Sequence, residues 1–540
     1  MNTKSEVNIF IHKKIIPIIL SIIILLALTL RIYGVDKVPP SLSWDEAAVG
    51  YNAWTIANYG RDEYGKFLPL YFRSFGEDKQ PIHIYITAAF VKIFGLSEFS
   101  TRLPSAIFGT LTVLLIFFLA RILFKSDSVG LSSAFFLSIS PQSIHFSRFN
   151  HEANFALFFF MLGVFLFYKS MKLRGELLPL SVLSFIFSII SYHAAEIMVP
   201  LFVAFLVILY FNRLRKEKIN LVISCFILLG FIFLISLNPR LLGVSRFNQT
   251  AIGLAEIEQT DVFVKTHNYL LGEVRLIGSN YFSYFNPKYL FISGDKNPRL
   301  SSQGAGELYI LDGLFLILGI IFLFNKRSKE AALIFTWSVL APIAGSVVNE
   351  APHAGRGVFM MGSWNIISAL GFYQLLSFFQ KPVLKKSISI ITILILFFLL
   401  LNYFRHYLID FPKRYAVDWQ YGMKQVVEYV IQHKEYNQIY TTSVRYQPYI
   451  FYLYYLKTPL PEYLSTVIYN NHDNGNNNVS YFDKYAFGGW NGFENEGTKG
   501  VLYVLSPSEY DGLKYRSRYN VNKIILYPNG SNAFFIISLK

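Results

Sequence analysis

Long apolar runs set the terms for any fold of this 540-residue chain. IIPIILSIIILLALTL near the N-terminus and SISIITILILFFLLLNYF near the end of the apolar half belong to spans of about residues 15–33 and 386–404. Each is long enough to cross a bilayer, which takes roughly 18–20 apolar residues. Charged residues make up 15% of the sequence and the mean hydropathy is +0.39, whereas soluble domains carry about 25% charge. The reading is a polytopic α-helical membrane protein. The first run is read as a retained span, because it is long for a signal peptide and no small-x-small cleavage site ends it.

Further spans are predicted at about residues 103–124, 128–141, 154–170, 177–192, 196–211, 219–237, 307–324, 331–348 and 357–379, about eleven in all. Basic loops test that list. With the N-terminus inside beside Lys13 and Lys14, every second loop should be basic. Arg121/Lys125, Lys169/Lys172/Arg174, Arg213/Arg215/Lys216/Lys218, Lys326/Arg327/Lys329 and Lys381/Lys385/Lys386 all fit. The net charge of +15 therefore reads as membrane orientation. No basic tail or zinc-finger spacing points to nucleic acid. The single cysteine, Cys225, excludes an internal disulfide. No internal repeat suggests an inverted-repeat transporter.

Three pieces then fall on the outer side. A first loop, 34–102, holds two helix-like stretches, WDEAAVGYNAWTIANYG and PIHIYITAAFVKIFG, whose interrupted apolar faces suit interfacial helices. A long loop runs over 238–306. The tail, 411–540, changes composition: NNHDNGNNN is a polar loop, GVLYVLSP a strand, and NKIILYPNGSNAFFIISL a hairpin around Asn529-Gly530. DWQYGMKQVVEYVIQH reads as an amphipathic helix. The expected division is a transmembrane domain over 1–410 and a soluble extracytoplasmic α/β domain over 411–540.

Asp45 and Glu46 form an acidic pair soon after the first span. Ser43-Trp44-Asp45-Glu46 matches the S-x-x-E capping box, which accounts for Glu46 better than for Asp45. A carboxylate fixed at a helix start by the membrane surface can accept a proton from a substrate hydroxyl. Both are candidate catalytic residues. Lys79 precedes a proline-started helix, where an ammonium can meet a lipid phosphate or merely snorkel. Arg102 opens a span on the side where cations are scarce, so it should have a partner, Glu98 or a phosphate.

The ordered set of an acidic pair after the first span, then DKQP, then RLPSAIFG, resembles the C-type membrane glycosyltransferases of the protein O-mannosyltransferase and lipid A aminoarabinose transferase group. The resemblance covers about the first 125 residues closely and the eleven-span layout loosely. It implies inverting transfer of a sugar from a polyprenyl phosphate to a hydroxyl of a protein, glycan or glycolipid, outside the cytoplasmic leaflet. It further implies that Asp45 is the catalytic base, that Lys79 binds the donor phosphate, and that Arg102 matches the arginine of its RLPS segment.

Arg356, in NEAPHAGRGV, joins Lys79 and Arg102 as a candidate for the donor phosphate, and His353 lies beside it. Arg148, His151 and Glu152 in HFSRFNHEANF, His193 and Glu196 in SYHAAEIMVP, and His353 are candidate sugar, acceptor or metal contacts on outer turns. Arg240 and Arg246 read as surface charge. Asn248, Asn478 and Asn529 begin N-x-S/T sequons. No HExxH or comparable spacing marks a metal site; no cofactor is required, and a divalent ion bridging an acid and the phosphate stays open. Two rivals are a lipid-linked glycan polymerase or ligase, and a flippase. A flippase would line a path through the bilayer with polar residues, whereas these candidates gather on one side. The expected location is a bacterial plasma membrane with the site outside.

Overall fold

The computed structural model describes residues 3–242, 250–470, 478–489 and 498–540, with side chains from residue 15 onward. Arg246, Asn248 and most of NNHDNGNNN lie outside the described residues. In chain order the longer helices are α1 (Thr3–Ile32), α2 (Trp44–Tyr59), α3 (Ile82–Phe94), α4 (Glu98–Phe124), α5 (Asp127–Ile139), α6 (Glu152–Lys172), α7 (Leu178–Ile189), α8 (Ala194–Leu214), α9 (Lys218–Leu237), α10 (Tyr269–Ser283), α11 (Ile310–Lys326), α12 (Lys329–Leu340), α13 (Met360–Ser377), α14 (Pro382–Arg405), α15 (Met423–Gln432) and α16 (Pro448–Leu456). Each of the eleven predicted apolar segments is helical. Among the described residues six helices are long and apolar enough to cross a membrane: α1, α4, α6, α8, α9 and the stretch that begins with α14.

The chain divides into two compact units, one of residues Met1–Tyr33 and Ser105–His406 and the other of Gly34–Pro104 and Tyr407–Lys540. The first is helical. Helices α11 and α13 approach closely: a Cβ on Gly371 would lie 1.8 Å from the Phe315 carbonyl oxygen and one on Gly319 2.1 Å from that of Ile367. Only glycine permits that approach, the small-residue packing that membrane helices favour. Arg31, at the end of α1, is fully buried. It donates to Ser143 Oγ at 2.7 Å, to Ser147 Oγ at 3.2 Å and to the carbonyls of Ala27, Leu137 and Ser138. That network ties α1 to the turn after α5.

The second unit is built on a seven-stranded mixed sheet. Its strands are β3 (Gln438–Thr442), β4 (Ile468–Tyr469), β5 (Val479–Phe482), β6 (Tyr485–Gly488), β7 (Val501–Leu505), β8 (Tyr519–Leu526) and β9 (Asn532–Leu539), after a small hairpin of β1 (Phe72–Ser74) and β2 (Glu77–Lys79). The order is β4-β5-β6-β3-β7-β9-β8. Central β3 runs parallel to both β6 and β7, and every other pairing is antiparallel. The β8–β9 hairpin turns at Asn529-Gly530, where Gly530 takes φ +87°, as the sequence indicated. The DWQYG stretch differs from expectation: Gly422, at φ +107°, caps α15, so the helix begins only at Met423.

Residues 34–104 pack into this same unit. Ala47, Ala48, Tyr51, Ala88 and Val91 of α2 and α3 share one core with Val426 of α15, Phe451 of α16 and Val504 of β7. A Cβ on Gly50 would meet the Tyr454 ring at 2.4 Å. Tyr51 donates to the Thr458 carbonyl at 2.8 Å, and Thr101 Oγ1 lies 2.8 Å from Tyr454 Oη. Lys424 reaches Glu98 at 2.7 Å and Tyr455 donates to Glu98 at 2.9 Å.

Candidate active site

The start of α2 carries out the predicted capping box. Ser43 Oγ accepts the Glu46 N–H at 3.2 Å, and Glu46 Oε2 accepts the Ser43 N–H at 3.3 Å. Two of the helix's orphan donors are thereby satisfied. The box turns Asp45 and Glu46 to different surroundings, although they are adjacent in sequence.

Glu46 is fully buried and faces Arg102, also fully buried. Arg102 Nε donates to Glu46 Oε1 and Nη2 to Oε2, each at 2.9 Å. Nη1 donates to the carbonyls of Val35 and Pro39, and Nη2 to that of Ser41. Those bonds use all five guanidinium N–H groups. Two expectations change. The partner of Arg102 is Glu46, not Glu98 or a phosphate, and no donor remains for a lipid phosphate. Both Glu46 oxygens are committed to Arg102 and the cap, which removes Glu46 as a base. The pair fastens residues 35–46 to the start of α4.

Asp45 is the accessible acid. Its side chain is 33% exposed and forms an ion pair with Lys79, which is 10% exposed. Lys79 reaches it from the end of β2. The β1–β2 turn, with Phe75 at φ +54° and Gly76 at φ +83°, sets Phe72 opposite Lys79. The Phe75 ring centroid lies 6.0 Å from Lys79 Nζ. The sequence separation of 34 residues gave no hint of the pairing; the turn supplies it.

A second acid in the first loop was not singled out from the sequence. Glu63, in RDEYG, is buried. Asn52 Nδ2 donates to its Oε2 at 3.2 Å, Tyr449 donates to Oε1 at 3.3 Å, and its own N–H donates to Asn52 Oδ1 at 2.9 Å. Burial, and then the neighbouring Asp62 charge, push its carboxyl up to about 8. It holds the loop after α2 in place.

The remaining candidates lie in the helical unit. Arg148 is buried and donates to the carbonyls of Leu30 and Arg31, so it caps the end of α1 where the sequence suggested a loop contact to sugar. His151 caps α6, its Nδ1 accepting the Ala153 N–H at 3.1 Å, with Glu152 at 3.9 Å. His193 Nδ1 lies 3.3 Å from Glu196 Oε1. The His151 and Tyr192 rings are 5.7 Å apart, and a Cβ on Gly355 would lie 3.1 Å from both Tyr192 Oη and His353 Cε1. His151, Tyr192 and the His353–Arg356 turn are therefore gathered together. Arg356 Nη1 donates to the Asn349 carbonyl at 2.9 Å, and its N–H to His353 Nδ1 at 3.2 Å. Asp295 Oδ2 accepts the Ala354 N–H at 2.6 Å. Burial raises the Asp295 carboxyl above the usual range. Arg240 is exposed. Among the described residues no group of three or more His, Cys, Asp or Glu side chains is placed to hold a metal ion.

The fold itself has solved counterparts. ArnT from Cupriavidus metallidurans bound to undecaprenyl phosphate superposes with a TM-score of 0.58 at 13% identity, over 96% of this chain and 97% of that one. That likeness is one of fold. The oligosaccharyltransferase of Archaeoglobus fulgidus shares it at a TM-score of 0.50 and 14% identity, over 96% of this chain and 74% of that one. Residues 78–236 match the dolichyl-phosphate-mannose-protein mannosyltransferase family. YkcB of Bacillus subtilis strain 168, which carries the name of a mannosyltransferase, is 26% identical over 213 residues. That alignment covers 39% of this chain and 29% of YkcB, so the chain matches under a third of that relative. The family match begins at Asp78, beside Lys79.

Proposed function

We propose that the protein transfers a sugar, with inversion, from a polyprenyl-phosphate donor to a hydroxyl acceptor at the outer face of a membrane. The observation that carries this reading is the Asp45–Lys79 ion pair at the start of α2. It joins a proton acceptor and a phosphate-seeking cation on a rigid helix start and a short hairpin. The undecaprenyl phosphate bound to ArnT, which has the same fold, supports the donor class. The eleven helical segments and their alternating basic loops support eleven crossings, with both the first loop and the tail outside.

The chemistry divides between the two side chains. The acceptor oxygen attacks the anomeric carbon as the bond from that carbon to the phosphate oxygen breaks. Asp45 takes the hydroxyl proton. The bonding electrons leave with the polyprenyl phosphate, and Lys79 balances its growing charge. Phosphate is a good leaving group, so no strong general acid is needed. A donor phosphate competes with Asp45 for Lys79, which would release the carboxylate toward the acceptor as the donor binds. Of the other candidate cations, Arg102 loses its assignment to the phosphate, its donors all being used within residues 35–46.

The test is direct. Purified protein in nanodiscs is given a synthetic polyprenyl-phosphate hexose and a glycolipid extract, and mass spectrometry follows free polyprenyl phosphate and hexose-shifted products. Release of polyprenyl phosphate together with a product heavier by one hexosyl unit is expected. Absence of both, across hexose, pentose and aminosugar donors, overturns the reading.

A further inference from the structure

The turn after β3 brings the tail of the chain to the candidate base. β3 is the central strand. Its chain continues through α16 to β4, β5 and β6 on one side of the sheet, and then crosses to β7 on the other. The carboxyl end of β3 is thus the switch point of the sheet, the place where open α/β sheets bind ligands. The next residues are Ser443 to Gln447. Tyr446 and Gln447 both hold left-handed backbone, at φ +61° and +50°, a conformation non-glycine residues adopt at a cost. The Gln447 side chain fixes the turn by accepting the Asn478 N–H at 2.9 Å.

That turn meets the residue before Asp45. The rings of Tyr446 and Trp44 lie 5.4 Å apart, tilted by 54°. Tyr446 is 45% exposed and Trp44 partly so. A second tail residue holds the backbone there: Gln420, also left-handed at φ +47°, accepts the Trp44 N–H at 3.2 Å through its Oε1. Two strained turns of the tail thus position one exposed aromatic pair beside a carboxylate.

We propose that Trp44 and Tyr446 form the acceptor subsite, and that the acceptor it takes is a saccharide. The proposal rests on Asp45 as the base. Two tilted aromatic rings offer faces to the C–H side of a pyranose while its hydroxyls stay free for the neighbouring acid. A peptide has less to hold it there. Both edges of β3 are paired, with β6 and β7, so no strand can be added beside it. Arg445, the nearest cation in the turn, is stacked 5.2 Å from the Tyr527 ring and 5.6 Å from that of Phe534. Tyr446 is a specificity-determining residue, and the role of the tail is to present it.

Saturation-transfer NMR on the full chain in nanodiscs tests this without turnover. The probes are maltose, cellobiose and chitobiose, a serine- and threonine-containing peptide, and undecaprenyl phosphate. At least one disaccharide should show transfer to its ring protons. Tyr446→Ala should cut it at least fivefold, Tyr446→Phe should keep it, and undecaprenyl phosphate binding should be equal in all three proteins. No transfer to any disaccharide, transfer indifferent to Tyr446→Ala, or transfer to the peptide alone overturns the proposal. Disaccharide binding that depends on Tyr446, in a protein that binds no undecaprenyl phosphate, would uphold the subsite and reject the donor assignment instead.

Discussion

Arg102 Nε lies 2.9 Å from Glu46 Oε1, with both side chains shut off from solvent. A buried pair of this kind holds only while both partners are present. Removing one leaves a charge in a low-dielectric site and costs about 3–5 kcal/mol. Glu46→Gln should therefore lower thermal stability sharply even though Gln still suits the capping box. Glu46→Gln combined with Arg102→Met should recover part of the loss, because no buried charge is then left alone. Thermal unfolding of the detergent-solubilised proteins measures this. Equal stability of wild type and Glu46→Gln would remove the fastening role given to the pair.

Asp45 and Lys79 should behave in the opposite way. Asp45 is a third exposed, so solvent screens their ion pair and it contributes less to stability than the fully buried one, on the order of 1 kcal/mol. Asp45→Asn should leave the melting temperature nearly unchanged and reduce transfer by about 10²–10⁴-fold, the usual contribution of a general base. Lys79→Ala should weaken binding of undecaprenyl phosphate by roughly 10–150-fold, the loss of one charge-assisted contact worth about 1.5–3 kcal/mol. Arg102→Lys, in whatever fraction folds, should bind the lipid as the wild type does. Lipid titrations in nanodiscs separate these cases, and retained affinity in Lys79→Ala would dissolve the phosphate site.

The difference between these pairs shows what was legible in the sequence. Local rules worked. The S-x-x-E spacing foretold the cap at Ser43, the apolar runs foretold helices, and Asn529-Gly530 foretold a hairpin turn. Each depends on neighbours within about one helical turn or one strand pair. Long-range contacts left no such trace. Glu98, four residues before Arg102, was its natural helical partner, yet Glu98 is taken by Lys424 and Tyr455 from the tail. The composition change near residue 411 marked where the tail begins. It carried no sign that Gly50 and Thr101 of the first loop pack on Tyr454. The acid Asp45 was visible as a candidate; the aromatic residue that packs on its neighbour Trp44, about 400 positions later, was not.

Glu63 gives the protein a dependence on pH. Its carboxyl is raised from 4.5 to about 8 in the folded protein, by burial first and the Asp62 charge second. Between those values the folded state holds a proton that the unfolded chain has released. Stability from this group is present at low pH and is lost as pH rises through that window, by up to ~1.4 kcal/mol per pH unit. Asp62 is shifted in the same direction, also by burial. Glu63→Gln keeps an uncharged side chain at every pH and should flatten this slope. Melting temperatures of the two proteins from pH 5 to 8.5 should diverge in favour of the variant as pH rises. Parallel curves would mean that Glu63 is ionised in the folded state.

The orientation of the chain admits an equally direct test, because Cys225 is the single native cysteine. In a Cys225→Ser background every introduced thiol reports alone. Lys37, in the first loop, and Ser508, in the tail, are both exposed and should lie outside if the basic loops mark the inner side. Arg327 is exposed as well, in the loop that also holds Lys326 and Lys329, and should lie inside. A membrane-impermeant maleimide applied to intact cells should label Lys37→Cys and Ser508→Cys at once, and Arg327→Cys only after the membrane is opened. The first two positions must agree, because Lys37 and Ser508 belong to one compact unit and a bilayer cannot separate them. Labelling of Arg327→Cys alone would reverse the topology and move Asp45 to the cytoplasmic side, where an outward-facing transfer reaction could not take place.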